Sequence, residues 1–322
     1  MKNGKRTLVL FLTLLTTLSG CAATKSTDRT SHAVTLVAKS TSTEFWKSVF
    51  AGANAAATEY NVELTIVGPD SEEDYTAQND MIRQAVESGA EALVFSAISY
   101  EGNAPAIDEA AADGIAVVSI DSDVDSDAIV ARIGTDNVDA GRKAAAAALD
   151  TDGDDLVIGL INYDVGSKNG QEREQGFREV AVQDPRVAGL YTVNTLATDE
   201  DAREQTAELL RQHPEINTLV AFNEPTSVGA ALAIRELKCT GAVRMVGFDS
   251  NVKTIDMMQS GEVTALVVQN PYAMGYLGVE TAYGALSGED YDSNALIDTS
   301  TTIVTKTNMF EIENQKAMFS FN

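Results

Sequence analysis

The chain has 322 residues, of which 48 are acidic and 23 are basic, for a formal net charge of −25. A surface this acidic repels nucleic acid, and the sequence has no basic patch or aromatic-interleaved basic stripe to offset it. Without its first 20 residues, which have the pattern of an export signal, the chain has about 300 residues. This exceeds the usual size of a single hydrophobic core, so we predict two lobes. Beyond residue 21, Cys239 is the only cysteine, which excludes an internal disulfide there and leaves packing as the source of stability.

The first 21 residues have the pattern of an export signal. Three basic side chains precede the apolar run Leu8–Leu18, which is too short to span a bilayer comfortably as a mature helix. The run ends in Leu18-Ser19-Gly20-Cys21, which resembles the lipobox of bacterial lipoproteins. This resemblance implies a cleaved signal at residues 1–20, a diacylated Cys21, a polar tether at residues 21–31 and an extracytoplasmic, membrane-anchored protein. The alternative is an ordinary cleaved signal with a chance cysteine.

After residue 31 the sequence alternates between short apolar runs and segments with apolar residues at helical spacing. This alternation is typical of α/β proteins with parallel sheets flanked by helices, and it restarts after Asn137 to give two similar halves. The predicted strands are Val34–Ala38, Leu64–Val67, Ala92–Phe95, Ala116–Ile120, Ala128–Ile133, Leu156–Ile161, Leu190–Val193, Thr218–Phe222, Arg244–Phe248, Val263–Val268 and Thr302–Val304. The predicted helices are Glu44–Tyr60, Tyr75–Glu87, Ala104–Ala112, Ala140–Leu149, Gly170–Val182, Ala202–Gln212, Thr226–Leu237 and Met274–Leu286.

The run from Ala116 to Gly141 indicates where a ligand binds. Asp121 closes one predicted strand, and Thr135–Asn137 follows the next strand directly before an Ala-rich helix. In open α/β sheets the ligand crevice lies beyond the carboxyl ends of the strands. We therefore predict that Asp121 faces a ligand and that Thr135–Asn137 is one strand of a hinge between the lobes.

Catalytic chemistry is not indicated. An enzyme needs an assembled nucleophile and base, but the only histidines are His32, in the tether region, and His213, at a helix end before Pro214. Neither histidine lies in the predicted crevice. The sequence also lacks a phosphate-binding loop and a cluster of metal-ligand residues, so we predict a binding protein without catalysis, cofactor or metal.

Six stretches carry a resemblance to a known family: LVAKSTSTEFWKS, VVSID followed by IGTDN, GSKNGQEREQGF, LLRQHPEINTLVAFNE, MVGFD and VVQNPYAMG. In this order they resemble type I periplasmic substrate-binding proteins of sugar ABC transporters, close to the ribose- and galactose-binding group. The resemblance implies two Rossmann-like lobes joined by a three-strand hinge. It divides the chain into an N-terminal lobe of residues 32–135 and 270–298 and a C-terminal lobe of residues 136–269 and 299–322.

The resemblance also implies a mechanism and partners. Crossovers near Thr135–Asn137, Asp249–Val252 and Gln269–Pro271 would let the lobes rotate as rigid bodies, and a ligand that bridges both lobes would favour the closed form. The implied ligand is a monosaccharide or sugar-like molecule, and the implied protein partner is an ABC permease that recognises a closed monomer.

Ten residues are the predicted ligand-binding residues. The resemblance matches six of them to the family's ligand positions: Phe45, Trp46, Asp121, Asn223, Asp249 and Gln269. Ser96, Ser122 and Gln171 stand at such positions with a different residue type, and Thr135 belongs to the predicted hinge. Aromatic rings in this family cover the apolar faces of a sugar, a role that the resemblance gives to Phe45 and with more weight to Trp46. Carboxylates and amides at strand ends chelate sugar hydroxyls. The alternatives are a core position for the two rings and helix capping for Asn223 and Asp249.

Three positions depart from the ribose-binding pattern. Ser122 and Gln171 replace arginines, and Ser96 replaces an asparagine, so ribose itself is not the expected ligand. No aromatic residue near Ala197–Asp199 replaces the family's second-lobe ring, and Glu172 and Arg173 receive no role.

Two other functions use the same two-lobe fold. A ligand-sensing transcriptional regulator shares the two-lobe fold but needs an N-terminal helix-turn-helix, and an export signal occupies that place. A sensory subunit that presents a sugar or a furanosyl autoinducer to a receptor or kinase stays open, because transport and sensing use the same closure of the lobes.

Overall fold

The structure is a computed structural model that describes residues 31–70, 72–152 and 155–319. The predicted signal, Cys21 and residues 21–30 of the predicted tether lie outside the described residues. Within the described part of the chain, no helix has both the length and the apolar character needed to cross a membrane.

The order of elements confirms the predicted α/β class. The strands are β1 Ala33–Val37, β2 Glu63–Val67, β3 Ala92–Phe95, β4 Ala116–Ile120, β5 Ile129–Gly134, β6 Leu156–Asn162, β7 Val187–Asn194, β8 Thr218–Ala221, β9 Arg244–Phe248, β10 Ala265–Val268, β11 Leu296–Asp298 and β12 Thr302–Thr305. The helices are α1 Glu44–Tyr60, α2 Tyr75–Glu87, α3 Ala104–Ala112, α4 Asn137–Leu149, α5 Lys168–Ala181, α6 Asp199–Gln212, α7 Glu224–Glu236, α8 Val252–Ser260, α9 Pro271–Leu286 and α10 Ile312–Met318.

The strands form two sheets of six. One has the order β2-β1-β3-β4-β5-β11 with every pair parallel, and the other has the order β7-β6-β8-β9-β10-β12, in which only β12 is antiparallel. The central strands are buried along their whole length, as in β3 and β8, because helices cover both faces of each sheet. We call residues 31–134 and 271–298 the first lobe, and residues 137–268 and 302–319 the second lobe.

The chain passes between the sheets three times. It crosses from β5 to α4 at residues 134–137, from β10 to α9 at residues 268–271, and from β11 to β12 at residues 298–302. The predicted crossover at Asp249–Val252 is wrong, because β9, α8 and β10 all belong to the second lobe. The third crossover includes Ser300, whose φ of 58° turns the backbone between β11 and β12.

Glycine pairs bring two helices into backbone contact in each lobe. A Cβ on Gly52 of α1 would overlap the carbonyl oxygen of Tyr272 in α9, and one on Gly275 would overlap that of Val49. Gly141 of α4 and Gly176 of α5 are in the same relation to the facing helix of the second lobe. The helices that flank both sheets can therefore pack this closely only if these positions carry no side chain.

We predict that Gly52→Ala destabilises the protein. Alanine favours the helix by about 1 kcal/mol over glycine, but its Cβ would force α1 and α9 apart, and overpacking costs about 1–3 kcal/mol. Because backbone atoms cannot rotate out of the way as a side chain can, we expect the overlap to dominate and the free energy of unfolding to fall by about 1 kcal/mol or more. Chemical denaturation measures this change.

Gly189→Ala in β7 is the matched control, because the nearest atoms to its Cβ lie at an ordinary 3.5 Å. An unchanged free energy of unfolding in Gly52→Ala would show that the close packing of α1 and α9 is not required.

Candidate ligand-binding cleft between the lobes

The carboxyl ends of the strands in both sheets border one narrow cleft, whose free interior is only about 20 Å³ in this closed arrangement. Five of the ten predicted site residues line it: Phe45, Asp121, Asn223, Asp249 and Gln269. The structure adds eight residues to the lining, namely Lys39, Thr43, Glu72, Tyr163, Asn169, Arg173, Glu224 and Pro225.

Two aspartates occupy equivalent positions in the lobes. Asp121 follows β4 and donates its backbone N–H to Ile133 O at 2.9 Å, and Asp249 follows β9 and donates to Val267 O at 3.0 Å. Both have left-handed backbones, with φ values of 56° and 64°. Left-handed backbones are uncommon for non-glycine residues, although aspartate tolerates them better than most, and such positions cluster at functional sites.

Arg173 is the central cation of the cleft, and the sequence interpretation gave it no role. Its side chain is 1% exposed and lies 4.7 Å from the ring centroid of Phe248. Its Nε donates to Asn137 Oδ1 at 2.9 Å, one terminal nitrogen donates to Phe222 O at 2.8 Å, and the other donates to Gln269 Oε1 at 2.7 Å. Among the described contacts, two of its five N–H groups remain unused.

Gln171 was predicted as a site residue, and that prediction is wrong. It is exposed on α5 and does not line the cleft, whereas Arg173, two residues further on, is buried there. A two-residue step turns a helix by about 200°, which places the two side chains on opposite faces.

Gln269 links the cation to the second aspartate. Its Nε2 donates to Asp249 Oδ1 at 2.7 Å, and its Oε1 accepts from Arg173 and, at 2.9 Å, from Thr135 Oγ1. Thr135 is 3% exposed and lies behind Gln269 rather than at the cleft surface. Burial raises the pKa of Asp249 to about 7, although Arg173 and the Gln269 hydrogen bond both lower it.

Asp121 is held by partners from both lobes. Ser96 Oγ of the first lobe donates to its Oδ2 at 3.0 Å, and Asn169 Nδ2 of the second lobe approaches its Oδ1 at 3.4 Å. Burial raises the pKa of Asp121, against the opposing effect of Lys39 and Arg173. Ser96 thus acts behind the aspartate, while the neighbouring Ser122 has a buried hydroxyl that hydrogen-bonds to none of the described residues.

Lys39 supplies a second buried cation. Its side chain is 2% exposed, and its Nζ lies 3.3 Å from Glu72 Oε2 and 3.1 Å from Ser167 Oγ. Burial alone lowers the pKa of Lys39, but Glu72, Tyr163 and Asp121 raise it above the usual value, so the ammonium group stays charged.

The two aromatic residues at the start of α1 have different locations. The half-buried ring of Phe45 lines the cleft. Trp46 is 1% exposed in the core of the first lobe, where its Nε1 donates to Glu72 Oε1 at 2.8 Å. The prediction that Trp46 is the principal ligand wall is therefore wrong, because helix periodicity turns Phe45 to the cleft and its neighbour to the sheet. The second lobe presents Tyr163, at the end of β6, as its own aromatic lining residue.

Asn223 caps a helix and also faces the cleft. Its Oδ1 accepts from Thr226 N at 3.0 Å and forms a capping box at the start of α7. Its Nδ2 is buried in the cleft lining and hydrogen-bonds to none of the described residues. Since a buried unpaired amide costs about 1–3 kcal/mol, this donor marks a position for a ligand acceptor.

Some of the eight residues that the structure adds to the cleft lining could have been found from the sequence, and others could not. Lys39 and Tyr163 follow within two residues of the ends of β1 and β6, so the rule that found Asp121 could have found them. Arg173, Asn169 and Glu224 lie in or beside helices, where no strand-end signal exists.

We predict a pH effect on stability from Asp249. Its pKa is about 7 in the folded protein against an ordinary 3.8, so the folded state binds more protons between these values and its stability falls as pH rises from about 4 to 7. Asp249→Asn should remove this part of the slope. We expect the variant without ligand to gain at least about 1 kcal/mol relative to wild type between pH 5 and pH 8.

Urea denaturation at both pH values measures this gain. Asp256→Asn, at a carboxyl group that is 68% exposed, is the control. Equal slopes for wild type and Asp249→Asn would contradict the buried, desolvated carboxyl group.

Comparison with known proteins places this architecture in a family. A family model described as "Periplasmic binding protein domain" matches residues 34–290. A D-ribose/D-allose-binding protein of Pseudomonas aeruginosa is 27% identical over 84% of this chain and 88% of that protein.

Two solved solute-binding proteins each have a TM-score of 0.85 and 28% identity to this chain and are covered completely by the match. One, from Agrobacterium radiobacter, holds D-arabinose and matches 90% of this chain, and the other, from Agrobacterium vitis, holds D-fucose and matches 89%. The chain therefore belongs to the periplasmic binding protein family, as a type I, two-lobed α/β binding protein and not an enzyme.

Proposed function

We propose that this protein captures an uncharged monosaccharide between its lobes and delivers it to an ABC permease. The observation that carries the proposal is the unpaired, buried Nδ2 of Asn223 in a cleft lined from both lobes. The relatives support the ligand class, since their names and structures report ribose, allose, arabinose and fucose.

The polar groups of the cleft fit sugar hydroxyls, each of which donates one hydrogen and accepts others. Asn223 and Arg173 have unused donors, and the carboxylates of Asp121 and Asp249 can accept. Phe45 can cover an apolar face of a sugar ring. In this proposal Ser96, Thr135 and Gln269 orient these groups from behind, and Trp46, Ser122 and Gln171 do not touch the ligand.

Charge in the cleft favours a neutral ligand over an acidic one. The lining contains the carboxyl groups of Glu72, Asp121, Glu224 and Asp249 but only two cations, Lys39 and Arg173. A carboxylate or phosphate on the sugar would add charge of the sign already in excess in a desolvated site, which is costly. We therefore expect uronic acids and sugar phosphates to bind more weakly than neutral sugars of the same stereochemistry.

The proposed cycle depends on closure. A ligand that bonds to both lobes stabilises the closed form, which the permease recognises. We further propose that Cys21 is lipidated and keeps the protein at the extracytoplasmic face of the membrane.

Isothermal titration calorimetry of the mature protein tests the function. We expect a neutral pentose, hexose or deoxyhexose among D-ribose, D-allose, D-arabinose and D-fucose to bind, and the matching acidic sugars to bind at least tenfold more weakly. If all these sugars failed to bind while a furanosyl autoinducer bound, the sensory alternative would replace transport of a nutrient sugar.

We predict that Asn223→Asp weakens sugar binding about tenfold or more. Aspartate preserves the oxygen that caps α7 but replaces the free Nδ2 donor with an acceptor, so a hydrogen bond to the ligand is lost without loss of the cap. Calorimetry gives the affinity, and melting of the unliganded protein reports the cap. Asn270→Asp is the matched control, because Asn270 caps α9 in the same way but is exposed outside the cleft lining. Equal affinities for wild type and Asn223→Asp would remove Asn223 from the site.

We predict that Cys21→Ala abolishes acylation, because the thiol is the group that carries the lipid in the proposed anchor. Metabolic labelling with a radioactive fatty acid and fractionation of cells measure the result. Label that persists in the variant would contradict the anchor without affecting the proposed ligand site.

A further inference from the structure

A contact across the rim of the cleft joins the lobes without lining the cavity. Lys168, at the start of α5 in the second lobe, places its Nζ 3.0 Å from Asp123 Oδ2 in the first lobe. The same Nζ lies 4.5 Å from the ring centroid of Tyr100, also in the first lobe. Beside it, Tyr100 N donates to Gly166 O at 2.9 Å. Each of these contacts joins one lobe to the other, so rotation of the lobes apart would break them.

The first lobe holds its half of this contact in place. Arg132 of β5 donates from Nε to Asp123 Oδ1 at 2.9 Å and from a terminal nitrogen to Ser126 O at 3.1 Å. The Asp123 carboxylate is therefore already oriented when Lys168 arrives, so little conformational entropy is lost on pairing. Side chains that are 31% exposed in Lys168 and 22% exposed in Asp123 place the pair in a partly desolvated position, where attraction exceeds that of a fully exposed pair.

The contact around Lys168 lies outside the cleft in which the ligand is proposed to bind. Among the described residues that line the cleft, Lys168, Asp123 and Tyr100 are absent. The free energy of the contact therefore belongs to closure alone. In a two-state protein, a change in the population of the closed form changes the apparent affinity for every ligand by one factor.

We propose that Lys168 is a closure latch: a positioning residue that sets the affinity of the protein for all its ligands without selecting among them. This rests on the proposed function, in which ligand binding is coupled to closure. Loss of the ammonium group removes an ion pair and a cation–π contact, which together correspond to a loss of about fivefold to thirtyfold in affinity.

The test compares Lys168→Met with wild type by calorimetry against each sugar that wild type binds. The latch predicts the same fold-loss for every sugar, with their order unchanged. It also predicts that the difference between the two proteins shrinks between 0.05 M and 1 M NaCl, because salt screens a partly exposed pair. Lys316→Met is the matched control, since Lys316 pairs with Glu313 inside α10 and is 50% exposed.

Two results would overturn the latch. One is unchanged affinities in Lys168→Met. The other is affinity losses that differ among sugars and reorder them, because such losses would make Lys168 a ligand contact. If wild type bound none of the sugars, the proposed function would fail, but the latch would still be tested by the closed fraction of the unliganded proteins, measured by single-molecule energy transfer between one dye on each lobe. The latch then predicts a closed fraction several-fold lower for Lys168→Met than for wild type, and equal closed fractions would contradict it.

Discussion

Desolvation of charge in the cleft is the constraint on which the rest of the structure depends. Closure removes two cations and several carboxylates from water, and the raised pKa values of Asp121, Asp249 and Glu224 reflect that cost. Arg173 and Lys39 offset part of it through short contacts to groups of both lobes. Some polar groups of the cleft keep no hydrogen-bond partner among the described residues, above all the free amide of Asn223. A ligand with matching hydroxyls can supply the missing hydrogen bonds. Sites that bind ligands commonly lose some stability in this way.

The near-twofold repetition of the lobes explains how one chain builds such a site. Asp121 and Asp249 have the same backbone conformation at the same place in their sheets, and glycine pairs hold the flanking helices equally close in both lobes. Rigid lobes of this kind transmit ligand contacts to the three crossovers instead of deforming. Contacts at the rim, outside the ligand's reach, can then adjust closure separately from ligand choice.

Much of the fold could be predicted because its elements are long and strongly patterned: α1 begins and ends at the predicted residues. The first turns of α4, α6 and α9 were missed, since side-chain caps rather than apolar periodicity start these helices. Short or polar elements such as α8 and β11 gave no signal. In the cleft, the strand-end rule led to Asp121, and the family resemblance led to Asn223, Asp249 and Gln269, all of which line it. Arg173 reaches the cleft from a helix face, and Trp46 differs from Phe45 only by one step of helix rotation.

The most direct measurement is a crystal structure of the protein with its tightest-binding neutral sugar. We predict a sugar ring against Phe45, with Asn223 Nδ2 and Arg173 within about 3 Å of sugar oxygens and Asp121 and Asp249 accepting from its hydroxyls across both lobes. A sugar bound to one lobe alone, or outside the cleft with Asn223 Nδ2 still unpaired, would contradict the central claim that ligand binding satisfies this cleft by joining the two lobes.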